Sequence, residues 1–281
     1  MENKMKASSI DLQGVSYAAA AAGGTKTLLQ ETDMHIPKGQ WLAIVGANGS
    51  GKSTLAKLMA KLYPATTGTV VYSNQPGASY RPFVQIIFQN PDVQMMGETV
   101  YEDVRFGLDN YGFPSGEIHG LAMNALDKVG LTALADASPA VLSGGQKQLL
   151  QAAGCLAVQP EVLIFDEAAS MLDPMSRQRL LQAARSLHVE GTTIVWITQL
   201  LDELEASERI VALESGAIVF DGSRETFFYP RSGEVGSACE RLGFSPPYAV
   251  QLALELMKRG RRLHPLPFSI EELGKAVSAW E

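Results

Sequence analysis

Residues 41–53 read WLAIVGANGSGKS. The apolar run Trp41–Val45 is followed at once by Gly46, Ala47, Asn48, Gly49, Ser50, Gly51, Lys52 and Ser53 in the spacing GxxxxGKS. A buried strand that feeds such a loop, with a helix behind it, is a phosphate cradle. Glycines let backbone N–H groups turn inward without Cβ clashes, and the helix points the positive end of its dipole at the bound anion. Lys52 is placed to reach the β and γ phosphates, Ser53 offers a hydroxyl to a metal ion, and Thr54 follows on the helix. The ligand class is therefore a nucleoside triphosphate with Mg2+. The helix is expected to bury Leu55, Leu58, Met59 and Leu62, which recur at core-facing spacing. The bland alternative, a glycine-rich turn, is disfavoured by the strand before it and the helix after it.

A chain of 281 residues with 46% hydrophobic content can bury a full core. A formal charge of −7 argues against a general nucleic-acid-binding surface, which needs a basic face. Cys155 and Cys239 are far apart, which fits a reducing compartment better than a disulfide scaffold. The four histidines show no metal-ligand spacing and read as surface or loop residues. No stretch approaches the ~20 apolar residues of a membrane span. Any membrane role is expected to be peripheral.

Further strands are expected at 70–72, 84–88, 162–165, 193–197, 210–213 and 218–220. The runs at 41–45, 162–165 and 193–197 are apolar throughout, as parallel strands covered on both faces are, so their carboxyl ends should line the site. The run Ala18–Ala22 with Gly23 and Gly24 after it reads as a hairpin or loop. Helical patterns dominate about 91–160 and suggest an inserted helical subdomain. The organisation expected is α/β: a nucleotide-binding domain over 1–225 containing that insertion, and a helical extension over 226–281. Within the extension, Pro246 and Pro247 precede one helix, and a capping-box pattern from Ser269 to Glu272 opens another. Two such short amphipathic helices must pack on the main domain or on a partner.

The strand at 162–165 ends in Asp166 and Glu167. Beside a phosphate loop, the first carboxylate can hold the metal shell, and the second, expected to point the other way along an extended chain, can polarise an attacking water. Between the loop and this strand lie Leu142, Ser143, Gly144, Gly145 and Gln146. Ser143 caps a helix whose N-terminal amides and glycines form a second anion site.

The LSGGQ pentapeptide ahead of such a strand resembles the ATP-binding cassette (ABC) ATPases, a branch of the P-loop NTPases. The resemblance implies a head-to-tail dimer in which Ser143, Gly144, Gly145 and Gln146 hold the γ-phosphate of ATP bound by the opposite subunit. It further implies that Gln89 touches metal and water, that Ser170, Met171, Leu172 and Asp173 form a turn crossing the dimer interface, and that Glu167 is the catalytic base. The segment FQNPDVQMMGETVYEDVRFGL at 88–108, with the tail after residue 241, is similar to the ATPases of energy-coupling factor (ECF) vitamin importers, most like the first of their two ATPase subunits. That similarity implies a second ATPase subunit, a membrane coupling (T) subunit docked beside Gln89 and, through it, a vitamin-binding membrane (S) subunit, at the cytoplasmic face of the membrane and with no nucleic acid.

Three positions depart from the family pattern. Gln199 stands where the family has histidine, Ala19 where it has the aromatic that stacks on adenine, and Leu149 where arginine is common. An amide can hydrogen-bond a γ-phosphate oxygen but cannot become cationic, so a site built on Lys52, Glu167 and Gln199 is expected to hold ATP well and cleave it slowly. Tyr17 is the nearest ring to replace the missing aromatic. The rival readings are a soluble ABC ATPase of DNA repair or chromosome organisation and a nucleotide-binding regulator. Members of the first kind separate the loop from LSGGQ by a long coiled coil, and no sustained heptads intervene here.

Overall fold

A computed structural model describes residues 8–21, 24–72, 81–89, 95–231 and 234–278. Chain order begins with two long strands, β1 (Ser8–Ala21) and β2 (Gly24–Pro37), then β3 (Trp41–Val45) and helix α1 (Lys52–Met59). Strands β4 (Thr67–Tyr72) and β5 (Val84–Ile87) precede three helices, α2 (Val100–Asn110), α3 (Ser115–Val129) and α4 (Gly144–Ala157). Then come β6 (Val162–Asp166), α5 (Pro174–Val189), β7 (Thr193–Ile197), β8 (Arg209–Glu214) and β9 (Ala217–Ser223). Four helices close the chain: α6 (Arg224–Phe228), α7 (Ala238–Arg241), α8 (Tyr248–Lys258) and α9 (Ile270–Ser278).

The strands form two sheets, an antiparallel β2-β1-β4 and a six-stranded β5-β6-β7-β3-β8-β9. In the larger one, β5, β6, β7, β3 and β8 run parallel and β9 is antiparallel at the edge. Every residue of β3, β6 and β7 is buried, which is why these strands read as unbroken apolar runs.

Side chains of a strand alternate between faces, so β3 feeds three cores. Leu42 and Ile44 pack with α1 and the small sheet. Trp41 packs with α2, α3, α4 and α5. Ala43 and Val45 pack under the C-terminal helices with Phe227, Phe228, Val250 and Ala253. The tail thus covers the domain's own sheet, where small residues on β3 leave room for helices.

Several expectations need correction. Strands β1 and β2 were not anticipated; the alanine run at 18–21 is part of β1 and pairs with the start of β2. Helix α1 stops before Leu62, which is 53% exposed, because Lys61 adopts a left-handed φ of 54°. His188 is not a simple surface residue: it lies on α5, its ring edge against Trp41 at 5.5 Å. Ser269 accepts from the Glu272 N–H at 3.2 Å, but the Glu272 carboxylate takes the Phe268 N–H rather than completing a capping box. The expectations placed on residues 90–94 and on Trp280 lie outside the described residues.

Candidate functional site

The carboxyl ends of β3, β6 and β7 bring the predicted residues to one cleft of about 320 Å3, lined by Leu28, Asn48, Gly49, Gly51, Lys52, Ser53, Thr54, Gln89 and Glu167. A second cleft of about 320 Å3 adjoins it, sharing Asn48, Gln89 and Glu167 and adding Ser170, Thr198, Gln199 and Leu200.

The loop between β3 and α1 needs glycine where it turns. At Gly46 a Cβ would stand 2.4 Å from both the Leu213 carbonyl and Ser50 Oγ. At Gly51 φ is +106°, and a Cβ would lie 2.8 Å from the Leu28 carbonyl. This tight wrap turns Lys52 inward, where it is only 4% exposed. Its ammonium donates to the carbonyls of Gly46 at 2.9 Å and Ala47 at 3.1 Å, and lies 3.3 Å from Glu167 Oε1.

Both carboxylates after β6 reach the loop, though not by strand alternation. Asp166 ends the strand and accepts from Ser53 Oγ at 2.9 Å. Burial pushes its carboxyl above the ordinary range, the Ser53 hydrogen bond opposing and the Glu167 charge adding to the shift. Glu167 has left the extended conformation. Its φ is +52°, unusual for a side-chain-bearing residue, with its N–H bonded to the Ile197 carbonyl at 3.0 Å and its own carbonyl accepting from Ser170 Oγ at 2.8 Å. That turn swings the carboxylate back over Lys52.

Gln199 joins the two halves of the site. Its Nε2 donates to Asn48 Oδ1 and to Glu167 Oε1, both at 2.8 Å, so one amide group spans the phosphate loop and the glutamate. Gln89 lies within 3.5 Å of Ser170 Oγ, on the turn after Glu167.

The LSGGQ residues lie elsewhere: Ser143, Gly144, Gly145 and Gln146 line neither cleft. Ser143 caps α4 in a complete capping box with Gln146. Asp173 caps α5 through the Met175 and Ser176 N–H groups, and hydrogen bonding at Ser176 holds its carboxyl below the ordinary range. Beside it, the Leu172 side chain lies next to Gly145 of LSGGQ, where an added Cβ would meet it in ordinary van der Waals contact at 3.5 Å.

The profile of the ABC transporter family matches residues 29–170. The energy-coupling factor transporter ATP-binding protein EcfA1 of Halalkalibacterium halodurans is 39% identical over 272 residues, 95% of each chain. This chain belongs to the ABC transporter family, among its energy-coupling factor ATPases. The EcfA1 protein of Lacticaseibacillus paracasei is 44% identical to this ATPase over 257 residues, 89% of this chain and 90% of the other. Among solved structures, cbiO1 from Clostridium perfringens, described as part of the ABC transporter complex cbiONQ, superposes with a TM-score of 0.70 at 28% identity. The match covers 91% of this ATPase and 98% of that chain.

Leu28 also lines the site and was not foreseen. Leu28 sits on the unanticipated β2, whose buried Thr32, Met34 and Ile36 alternate with exposed residues and carried a legible signal. Tyr17 is stacked on Tyr63, ring centroids 5.0 Å apart, and does not line the cleft.

Proposed function

We infer that this chain is the ATP-binding and ATP-hydrolysing subunit that powers an ECF-type membrane importer of vitamins or related micronutrients. One observation carries the reading beyond nucleotide binding. Lys52, Glu167 and Gln199 meet across two adjoining clefts, with Asp166 hydrogen-bonded to Ser53 of the first, while none of the LSGGQ residues lines either cleft. A full site then needs the LSGGQ loop of a second chain, which is the logic of a head-to-tail pair with a second ECF ATPase.

In the proposed division of labour, backbone N–H groups of residues 46–51 and the start of α1 hold the triphosphate, with Lys52 shifting from the loop carbonyls to the β and γ phosphates. Glu167 accepts the proton of the attacking water, and Gln199 fixes that carboxylate. The donor set fits Mg2+: Ser53 Oγ and Asp166 Oδ1 are 2.9 Å apart, hard oxygen donors, and Asp166 is a buried acid whose charge lacks full compensation. Ser53, Asp166 and Gln89 would hold that ion, which when bound neutralises charge on the transferring phosphoryl group. Ser143, Gly144, Gly145, Gln146 and Asp173 serve the partner's ATP.

The proposed domain division is 1–225 for the nucleotide-binding domain, including a helical subdomain at about 91–160, and 226–281 for the extension. Among the described residues, no helix is long and apolar enough to cross a membrane. The proposed place of the chain is the cytoplasmic face of the membrane, bound to a membrane coupling subunit and through it to a vitamin-binding subunit, a reading supported by its likeness to the energy-coupling factor ATPases. Co-purification from detergent-solubilised membranes with mass spectrometry tests this. Recovery of a second ATPase with a coupling and a small vitamin-binding membrane protein is expected; a purely soluble, DNA-bound pool would refute it.

A further inference from the structure

Trp196, three residues before Gln199, is buried on β7, and its Nε1–H donates to Glu203 Oε2 at 2.9 Å. Glu203 belongs to the short 3-10 segment Leu201–Ala206 that follows Gln199, and is 4% exposed. Its other oxygen faces Arg177 Nε at 3.5 Å. Arg177 stands on the first turn of α5, and its Nη2 donates to the Leu172 carbonyl at 3.4 Å. The Leu172 side chain lies beside Gly145 of LSGGQ, 3.5 Å from where a Cβ there would stand. A single buried carboxylate therefore binds the strand that delivers Gln199 and faces the arginine that reaches the turn beside LSGGQ.

The distance between the charged atoms is informative. Neither Glu203 Oε1 nor Arg177 Nε has a hydrogen-bond partner among the described residues, although both atoms are buried. A carboxylate withdrawn from water, as Glu203 is, is disfavoured unless it meets a cation and hydrogen-bonds it, and the Arg177 facing it is only partly buried. Here they stop a few tenths of an ångström short of good hydrogen-bond geometry. The gap has the 170–173 turn and the first turn of α5 on one side and the segment next to Gln199 on the other.

We propose that Glu203 is a positioning residue for ATP hydrolysis: held to Trp196 and facing Arg177, it makes the placement of Gln199 depend on the placement of the 170–173 turn. The link rests on the reading above, in which that turn and the LSGGQ loop meet a second ATPase. It gives the pair a route by which engagement of the LSGGQ loop on one ATP adjusts the Glu167–Gln199 contact at the other.

The test is hydrolysis at this chain's own site, read in reconstituted pairs whose partner ATPase carries the change equivalent to Glu167→Gln, with E203Q, R177M and the double variant. Glutamine keeps an acceptor for the Trp196 indole but loses the charge that Arg177 answers, and methionine keeps the apolar stem of Arg177. Each single variant is expected to lower kcat about ten-fold at unchanged KM for ATP. The double variant should be no slower than either single one, because the two groups act as one link. Unchanged binding of a fluorescent ATP analogue to each isolated variant shows that the cleft is intact. A kcat within two-fold of the parent, a parallel change of KM and kcat, or multiplied losses in the double variant would overturn the link while leaving the functional reading standing. A parent pair that hydrolyses no ATP would overturn the functional reading and the link with it.

Discussion

Replacing Gln199 by alanine removes one amide group that makes two contacts, to Asn48 Oδ1 and Glu167 Oε1, both at 2.8 Å. A neutral hydrogen bond contributes about 0.5–1.5 kcal/mol net and one to a charged group about 1.5–3 kcal/mol. Both bonds are solvent-exposed, so the lower ends apply, together about 2 kcal/mol, or roughly thirty-fold in a rate. The loss should fall on kcat rather than on ATP affinity. Lys52 makes its contacts to Gly46, Ala47 and Glu167 without Gln199, whereas Glu167, in an uncommon backbone conformation, relies on Gln199 for its orientation. Single-turnover hydrolysis in the reconstituted pair, alongside equilibrium binding of ATP, separates the two. A fall under three-fold, or an equal loss in binding, would refute the reasoning. Gln199→His is the companion: a neutral imidazole offers one N–H, an imidazolium two and a charge, so turnover should rise, increasingly as the pH falls toward about 6.5. No gain would mean that the amide suffices.

Glu167→Gln should cost this site about 10²–10⁴ in hydrolysis with ATP binding retained. If that loss in the assembled pair greatly exceeds the loss from the equivalent change in the partner, this is the fast site and the slow-site expectation is wrong. Gly46→Ala drives a Cβ to 2.4 Å from the Leu213 carbonyl and Ser50 Oγ, and should cost about 1–3 kcal/mol by calorimetry; an unchanged Tm would show that the loop relaxes freely. Asp166→Asn should raise Tm in chelator at pH 7.5 while abolishing hydrolysis. A carboxyl whose folded pKa is raised by burial penalises the fold when ionised, and that penalty fades as pH falls toward the ordinary carboxylate range. The gain from asparagine should therefore shrink on acidification; a lower Tm at pH 7.5 would reverse the assignment.

Legibility followed burial. Strands β3 and β7 match the expected limits because each is buried on both faces and so is apolar without interruption. Strand β1 was missed because it shifts register at several points along β2 and ends in alanines, which breaks a period-two pattern, whereas residues 32–36 of β2 alternate and were readable. Alternation suggested opposite directions for Asp166 and Glu167, yet both reach the loop. The hydrogen bonds that turn Glu167, from its N–H to Ile197 and from Ser170 to its carbonyl, include a partner thirty residues away.

What the sequence determined by itself is the chemistry that depends on local spacing: a phosphate loop between strand and helix, two acids at the end of a buried strand, and a capped LSGGQ helix. These are short-range because glycine freedom, helix capping and strand burial act within a few residues. Only the tertiary structure decided that Gln199 clasps Asn48 to Glu167, that Leu28 reaches the cleft, that the C-terminal helices roof the chain's own sheet, and that Glu203 stands between Trp196 and Arg177. Those contacts join residues far apart in the chain, and side-chain hydrogen bonds of that kind leave no period in the sequence to read.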